Sequence, residues 1–402
     1  MSQPASPSGR VWLALAVYAS ASFSAMLNLG FLSPLLRPIS ETFGTTPAVT
    51  GQLATVSALV TFLASVLATP WMDRWSRRTW FRLLGLLLLA GTILTALAPT
   101  FGVLVVARVI AALGVSVISA NTLTGARELF PDPVWRNRAI GLLVSATTLG
   151  FVAGLPALNQ IAAHFGWRTA VASMAVPLVI LLAGTFVLPA ATSTRIAARG
   201  QSPLAAFRAV LGDGRVRGIL VALGLNLGLY TGWLVYFGAY VTEVFAAPAA
   251  LLSTLFLFSG ISELAANNLT PPLLRRYSTV PVLYAMLGAA GATLLLTGIV
   301  ITSVPGALIA AILILNTTAA AYIGCNALLL DGDHSHPGAV MAVASASIGL
   351  GNALGPFVVG WALATSGSFE AAYRVLGLLG PLAVLAIWLG MRGHAANGRN
   401  AS

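Results

Sequence analysis

The sequence contains no lysine: all 21 of its basic residues are arginine, set against 10 acidic residues. Charged residues make up only 8% of its 402 positions, whereas a soluble chain carries about a quarter to keep its surface in water. That scarcity excludes a soluble multi-domain protein. A single cysteine, Cys325, excludes any disulfide within the chain and leaves its redox compartment open. There is no Walker-type phosphate loop, zinc motif or nucleophile elbow, which argues against an ATP-driven pump and against an embedded hydrolase.

What is present is apolar. Hydrophobic residues form 58% of the chain and the mean hydropathy is +0.91, so hydrocarbon is the solvent for most of the exterior. A net charge of +11 would suggest a nucleic-acid partner for a soluble protein. Here the arginines lie in short segments between apolar runs, so topology accounts for them and no nucleic acid is expected. The lysine-free, alanine-rich composition is that of a GC-rich bacterial genome, and a bacterial inner membrane is the expected location.

A span needs roughly 20 mostly apolar residues. Twelve fit: 11–33, 48–70, 80–100, 103–126, 139–163, 168–190, 216–241, 249–272, 279–303, 306–329, 338–365 and 370–391. The first apolar stretch runs past Asn28 to Leu32. That is longer than the about 7–15 residues of a signal-peptide core, so it is read as a retained membrane helix despite the small residues Ala19-Ser20-Ala21. With a cytoplasmic N-terminus, only Arg37, Arg168 and Arg374 fall outside, Arg108 lies within span four, and every other arginine falls inside. This asymmetry places both termini in the cytoplasm. The boundaries read as a tail over 1–10, six helices over 11–190, a polar inner loop over 191–215, six helices over 216–391 and a tail over 392–402. Ser202-Pro203 opens a short surface helix in that loop.

The halves are alike. Pro70-Trp71-Met72-Asp73-Arg74-Trp75-Ser76 matches Pro272-Leu273-Leu274-Arg275-Arg276-Tyr277-Ser278 at an offset of 202, and Glu41-Thr42-Phe43 matches Glu243-Val244-Phe245 at the same offset. Gly150-x3-Gly154-x-Pro156 matches Gly351-x3-Gly355-Pro356 at 201, and Trp167-Arg168 matches Tyr373-Arg374 at 206. Four coincidences near one offset indicate two six-helix repeats, an arrangement that puts a solute site between them near mid-membrane.

These residues resemble the major facilitator superfamily over essentially the whole chain. Asp73-Arg74-Trp75-Ser76-Arg77-Arg78 is similar to the signature loop G-x3-D-R-x-G-R-R, with Thr69 and Ser76 in place of its glycines. Arg108, preceded by Val105, Val106 and Ala107, is similar to the arginine of motif B. Gly141-x8-Gly150-x3-Gly154-Leu155-Pro156 resembles motif C of the twelve-helix drug:proton antiporter branch, and Phe165-Gly166-Trp167-Arg168 the short loop before span six. The resemblance implies an all-α fold of two pseudo-symmetric six-helix bundles, no enzymatic activity, no cofactor, and proton-driven export by alternating access. The partners expected are a small solute, protons and the bilayer, with the chain acting as a monomer.

Each motif also has a physical role. Asp73 is placed to pair with Arg74, Arg77 or Arg127 and, with Arg78 beside them, to latch the inner face. Gly141, Gly150 and Gly154 in span five and Gly351 and Gly355 in span eleven admit close helix packing, and Pro156 and Pro356 remove a backbone donor each. Glu263 sits near the middle of span eight, where a charge costs about 3 kcal/mol on insertion scales. That cost favours the neutral acid, which suits a group that loads and releases a proton; a structural carboxyl bonded to Asn267 or Asn268 is the alternative. Span one carries no carboxylate, although many antiporters of the resembled branch have one there. Tyr18 and Asn28 in span one, Arg108 in span four, Asn226, Tyr230 and Trp233 in span seven, Asn267 in span eight, and Asn316, Tyr322 and Asn326 in span ten are the cavity candidates. Asp331-x-Asp333-His334-x-His336 reads as a solvated loop, so no metal is expected. Two further functions remain open: import of a small organic anion on Arg108, and a non-transporting receptor or assembly factor on the same fold.

Overall fold

The computed structural model describes residues 8–68, 74–188, 210–330 and 337–399. Among these, eleven helices are long and apolar enough to cross a membrane: Gly9–Gly30, Pro47–Ala68, Arg77–Leu97, Phe101–Leu129, Pro133–Phe165, Trp167–Gly184, Gly214–Val244, Ala250–Tyr277, Val304–Leu329, Val343–Ser366 and Phe369–Arg392. They are spans one to eight and ten to twelve. Span nine is a shorter apolar helix, Thr279–Leu295. It stops well before the predicted 303 because Gly298 takes a left-handed φ of +80°, which no continuing helix accommodates. A further helix, Leu32–Phe43, follows span one where the sequence reading had only an outer loop.

Side-chain caps set several starts. Asp132 accepts from the amides of Val134 and Trp135 at 2.9 and 3.1 Å, ahead of Pro133 at the first helical position of span five. Asp213 caps span seven in the same way through Arg215 and Val216, and Thr100 and Ser368 cap spans four and twelve. Proline sets interior breaks. Span six is interrupted at Met174 and span twelve at Leu378, each three residues ahead of a proline, Pro177 and Pro381. The missing N–H and the clash with the carbonyl four residues back explain both.

The chain divides into two compact units. The first comprises Met1–Gly44, Leu59–Arg195 and Ala249–Leu257; the second Thr45–Ala58, Ile196–Pro248 and Phe258–Ser402. The first has an apolar core around Leu15, Tyr18, Phe81, Leu84, Leu88 and Phe130. The second centres on Leu220, Leu223, Leu283, Leu287, Leu329 and Ile387. Large apolar side chains such as Leu67, Leu97, Phe186 and Ile299 are exposed, the outward face expected of helices solvated by lipid.

The repeat extends to individual contacts. Arg168 Nη1 donates to the Ala96 carbonyl in the last turn of span three at 2.8 Å, and Arg374 Nε donates to the Thr297 carbonyl just beyond span nine at 2.8 Å. Gly150 and Gly154 of span five lie against Phe23, Met26 and Leu27 of span one, while Gly351 and Gly355 of span eleven lie against Gly224 and Gly228 of span seven. In a bilayer, such close approach is what small residues are for. Gly141 does not share it: a Cβ there would meet nothing within 4 Å. Nine residues at about 100° each carry the chain to the opposite side of a helix, so Gly141 could not lie on the Gly150 face, and its reading as a packing glycine is corrected. Span five also departs from a plain proline kink. Gly150–Gly154 forms one π-helical turn, and the α-helix resumes at Leu155 with Pro156 in its first turn, where an N–H is not needed.

Candidate functional site

In the first unit, Arg108 leaves span four toward span one and is 3% exposed. Its Nη2 donates to Asn28 Oδ1 at 2.7 Å and to the Asn28 carbonyl at 3.4 Å. The guanidinium carbon lies 4.4 Å from the centroid of the Phe31 ring, a cation–π contact. Two of the cavity candidates, 80 residues apart, are thus in direct contact. Tyr18, in the same span as Asn28, belongs to the apolar core. It is 1% exposed, lies 5.0 Å from Phe81 ring to ring, and fills the space left by Gly125 of span four. Its placement is that of a packing residue, because the absent side chain at Gly125 opens a slot the width of a phenol ring.

In the second unit, Glu263 of span eight is half-buried. It has no hydrogen-bond or ion-pair partner among the described residues, and it is near enough to Tyr230 of span seven to act on it electrostatically. The alternative partner Asn268 donates instead to the Leu264 carbonyl of its own helix at 2.8 Å. Asn226 Nδ2 donates to the Thr318 carbonyl at 3.0 Å, tying span seven to span ten, and its Oδ1 is buried without a partner among the described residues, as is Asn316 Oδ1. Trp233 stacks near Phe237 at 4.5 Å and borders a small cavity with Tyr240, Leu294, Ile314 and Tyr373 inside the same unit. Asn267 is half-buried, Tyr322 is exposed, and Asn326 donates to the Tyr322 carbonyl at 2.8 Å.

The arginine-rich loop is resolved into separate tasks. Asp73 lies outside the described residues. Arg77 makes an ion pair of 3.0 Å with Glu128 and donates to Asn121 Oδ1 at 2.8 Å, both on span four. Arg78 donates to the carbonyls of Phe186 and Leu188 at the end of span six at 2.9 and 2.6 Å, which satisfies carbonyls that a helix end leaves open. Arg74 and Arg127 are exposed. Glu128 and Asn121 were missed in the sequence. The one available signal was that Glu128 stands as an acid in an inner segment otherwise dominated by arginine. The loop carrying Asp331, Asp333, His334 and His336 lies outside the described residues, and no cluster able to hold a metal ion occurs among those described.

Two hydrogen-bonded contacts join helix starts to distant spans. Within the first unit, Asn159 of span five donates to Ser253 at the start of span eight at 2.8 Å, and Ser253 Oγ donates to the Pro156 carbonyl at 3.3 Å. Within the second, Tyr236 donates to the Ala48 carbonyl at 3.3 Å and to the Pro356 carbonyl at 3.4 Å, and Gln52 Nε2 also reaches Pro356 at 3.4 Å. Gly51 and Gly360 leave the room that the Tyr236 hydroxyl occupies.

Comparison with known proteins adds an independent line. The profile of the Major Facilitator Superfamily matches residues 18–337. The chain is similar to an uncharacterized MFS-type transporter of Bacillus subtilis, with 27% identity over 261 residues, 63% of each chain. It is also similar to a chloramphenicol resistance protein of Streptomyces lividans, with 32% identity over 239 residues, 59% of this chain and 56% of that one. The matches therefore span less than two thirds of either relative. In three dimensions it is similar to the crystal structure of a D-xylose–proton symporter, with a TM-score of 0.78 at 17% identity, over 94% of this chain and 98% of the other.

Proposed function

Since the chain belongs to the Major Facilitator Superfamily, we propose that it is a secondary transporter of the drug:proton antiporter branch, exporting a small amphipathic solute across a bacterial inner membrane in exchange for protons. It works as a monomer with both termini in the cytoplasm. Transport proceeds by alternating access of the two six-helix repeats, 11–190 and 216–391. The reading rests on a single observation. Glu263 is an acidic side chain in the middle of a membrane span, within electrostatic range of Tyr230 and without a partner among the described residues. A lone carboxylate in that position is costly and marks a proton or ion pathway by default. The similarity to a chloramphenicol resistance protein supports the direction of transport.

In the proposed cycle Glu263 takes a proton from the outer side as solute leaves, and the neutral acid returns through the inward state to release it. Asn226, Tyr230, Asn267, Asn316, Tyr322 and Asn326 supply the polar face of the cavity. The test is transport by purified protein in liposomes, measured above protein-free liposomes, with radiolabelled chloramphenicol and radiolabelled 4-phenylbutyrate as the two probe solutes. Glu263→Gln is expected to abolish uptake driven by a pH gradient while leaving counterflow exchange intact, since exchange needs no net proton movement. Survival of pH-driven uptake in Glu263→Gln would end the coupling assignment.

A further inference from the structure

Arg108 is a permanent positive charge inside span four, and among the described residues of its unit no negative group answers it. Its hydrogen-bond acceptors are the amide and backbone oxygens of Asn28, and its guanidinium carbon lies over the Phe31 ring. All of these are neutral. The acids described in the same unit are committed elsewhere. Glu41 pairs with Arg37, Glu128 pairs with Arg77, and Asp132 caps span five. Two fully buried donors at this contact, Arg108 Nε and Asn28 Nδ2, have no acceptor among the described residues. The bond from Arg108 to Asn28 Oδ1 fixes which way the amide points, so Nδ2 is the donor left over. Buried donors without acceptors are costly, and a buried cation persists where an anion completes it.

We propose that Arg108 and Asn28 form the receptor for a carboxylate on the transported solute. A carboxylate offers two acceptor oxygens, no donor and one negative charge, matching the two buried nitrogens that lack an acceptor and the unanswered guanidinium. One oxygen is received by Arg108 Nε–H and the other by Asn28 Nδ2–H, while the cation–π contact with Phe31 helps hold the guanidinium in place. A neutral solute of the same shape leaves the charge unanswered. The inference rests on the transporter reading above and names the chemical class of its solute. It is independent of Glu263, which lies in the other unit.

The test is equilibrium binding of radiolabelled 4-phenylbutyrate to the full-length protein in detergent, with no proton gradient present. The expected result is saturable binding, competed by unlabelled acid and at least about tenfold more weakly by 4-phenylbutyramide, its uncharged counterpart. Arg108→Gln is expected to lose binding. Asn28→Asp supplies an internal counter-ion and is expected to weaken binding by about tenfold or more while raising the thermal midpoint. A loss of binding with a raised midpoint separates anion reception from simple misfolding. No saturable binding by the wild type, equal competition by the amide, or undiminished binding by Asn28→Asp overturns the proposal. The proton assignment is read from gradient-driven uptake and the carboxylate assignment from binding, so either can fail alone.

Discussion

Span five rests on span one, and span eleven rests on span seven, at positions related by one offset of 201 residues. The two contacts are nonetheless built differently. In the second unit the backbones themselves touch, and a Cβ on Gly351 or Gly355 would land on the carbonyls of Gly224 or Gly228. In the first unit the glycines face side chains as well. Gly154 is met by the end of Leu27, and Gly150 by Met26 and the Phe23 carbonyl. Span five also carries its π-helical turn at this point, whereas span eleven is α-helical throughout Pro337–Ser366. A leucine end can change rotamer, while a peptide carbonyl held in a helix cannot. The difference makes the span five contact adjustable and the span eleven contact rigid, although both descend from the same repeated motif.

Substitutions should separate the two contacts in graded steps. Gly355→Val is expected to have the largest effect, at or above the upper end of the about 1–3 kcal/mol that overpacking costs, because only backbone can yield. Loss of the monodisperse peak on size-exclusion chromatography in detergent is the readout. Gly154→Ala is expected to cost about 1 kcal/mol in a thermal unfolding assay, and adding Leu27→Ala should recover part of it by vacating the space. Equal losses for Gly154→Ala and Gly355→Ala would erase the distinction. Hydrogen–deuterium exchange should show faster exchange for amides 150–154 than for 351–355, since π-turns interrupt the regular ladder. Gly141→Ala is the smallest step, stabilising by up to about 1 kcal/mol through helix propensity alone, because a Cβ there meets nothing.

Much of the fold was legible before any coordinates. Apolar length, the placement of arginines and the twofold internal match are sums over many residues, so single errors did not matter. The opposite-face position of Gly141 was also legible, from nothing more than the helical angle. The candidate site was only partly so. Arg108 and Glu263 stood out because a charge inside an apolar run is conspicuous. Their surroundings did not. The Asn28 amide lies 80 residues from Arg108, and Glu128 lies 51 residues from Arg77. No local pattern announces such partners. Tyr18 resembled a cavity residue because a tyrosine in a membrane helix carries a polar tip, and only Gly125, far along the chain, reveals that the ring is buried packing.

By itself the sequence determined that this chain lives in hydrocarbon, crosses it twelve times and does so as a duplicated six-helix unit. Those properties depend on transfer free energies and periodicity, which accumulate residue by residue along the chain. Only the tertiary structure decided which charges are answered and which are not. It gave Arg77 a carboxylate and Arg108 an amide, and it set one repeat on backbone and the other on side chains. Such choices depend on contacts of a few ångströms between segments far apart in sequence, where a single absent Cβ or a single turn of helix changes the partner.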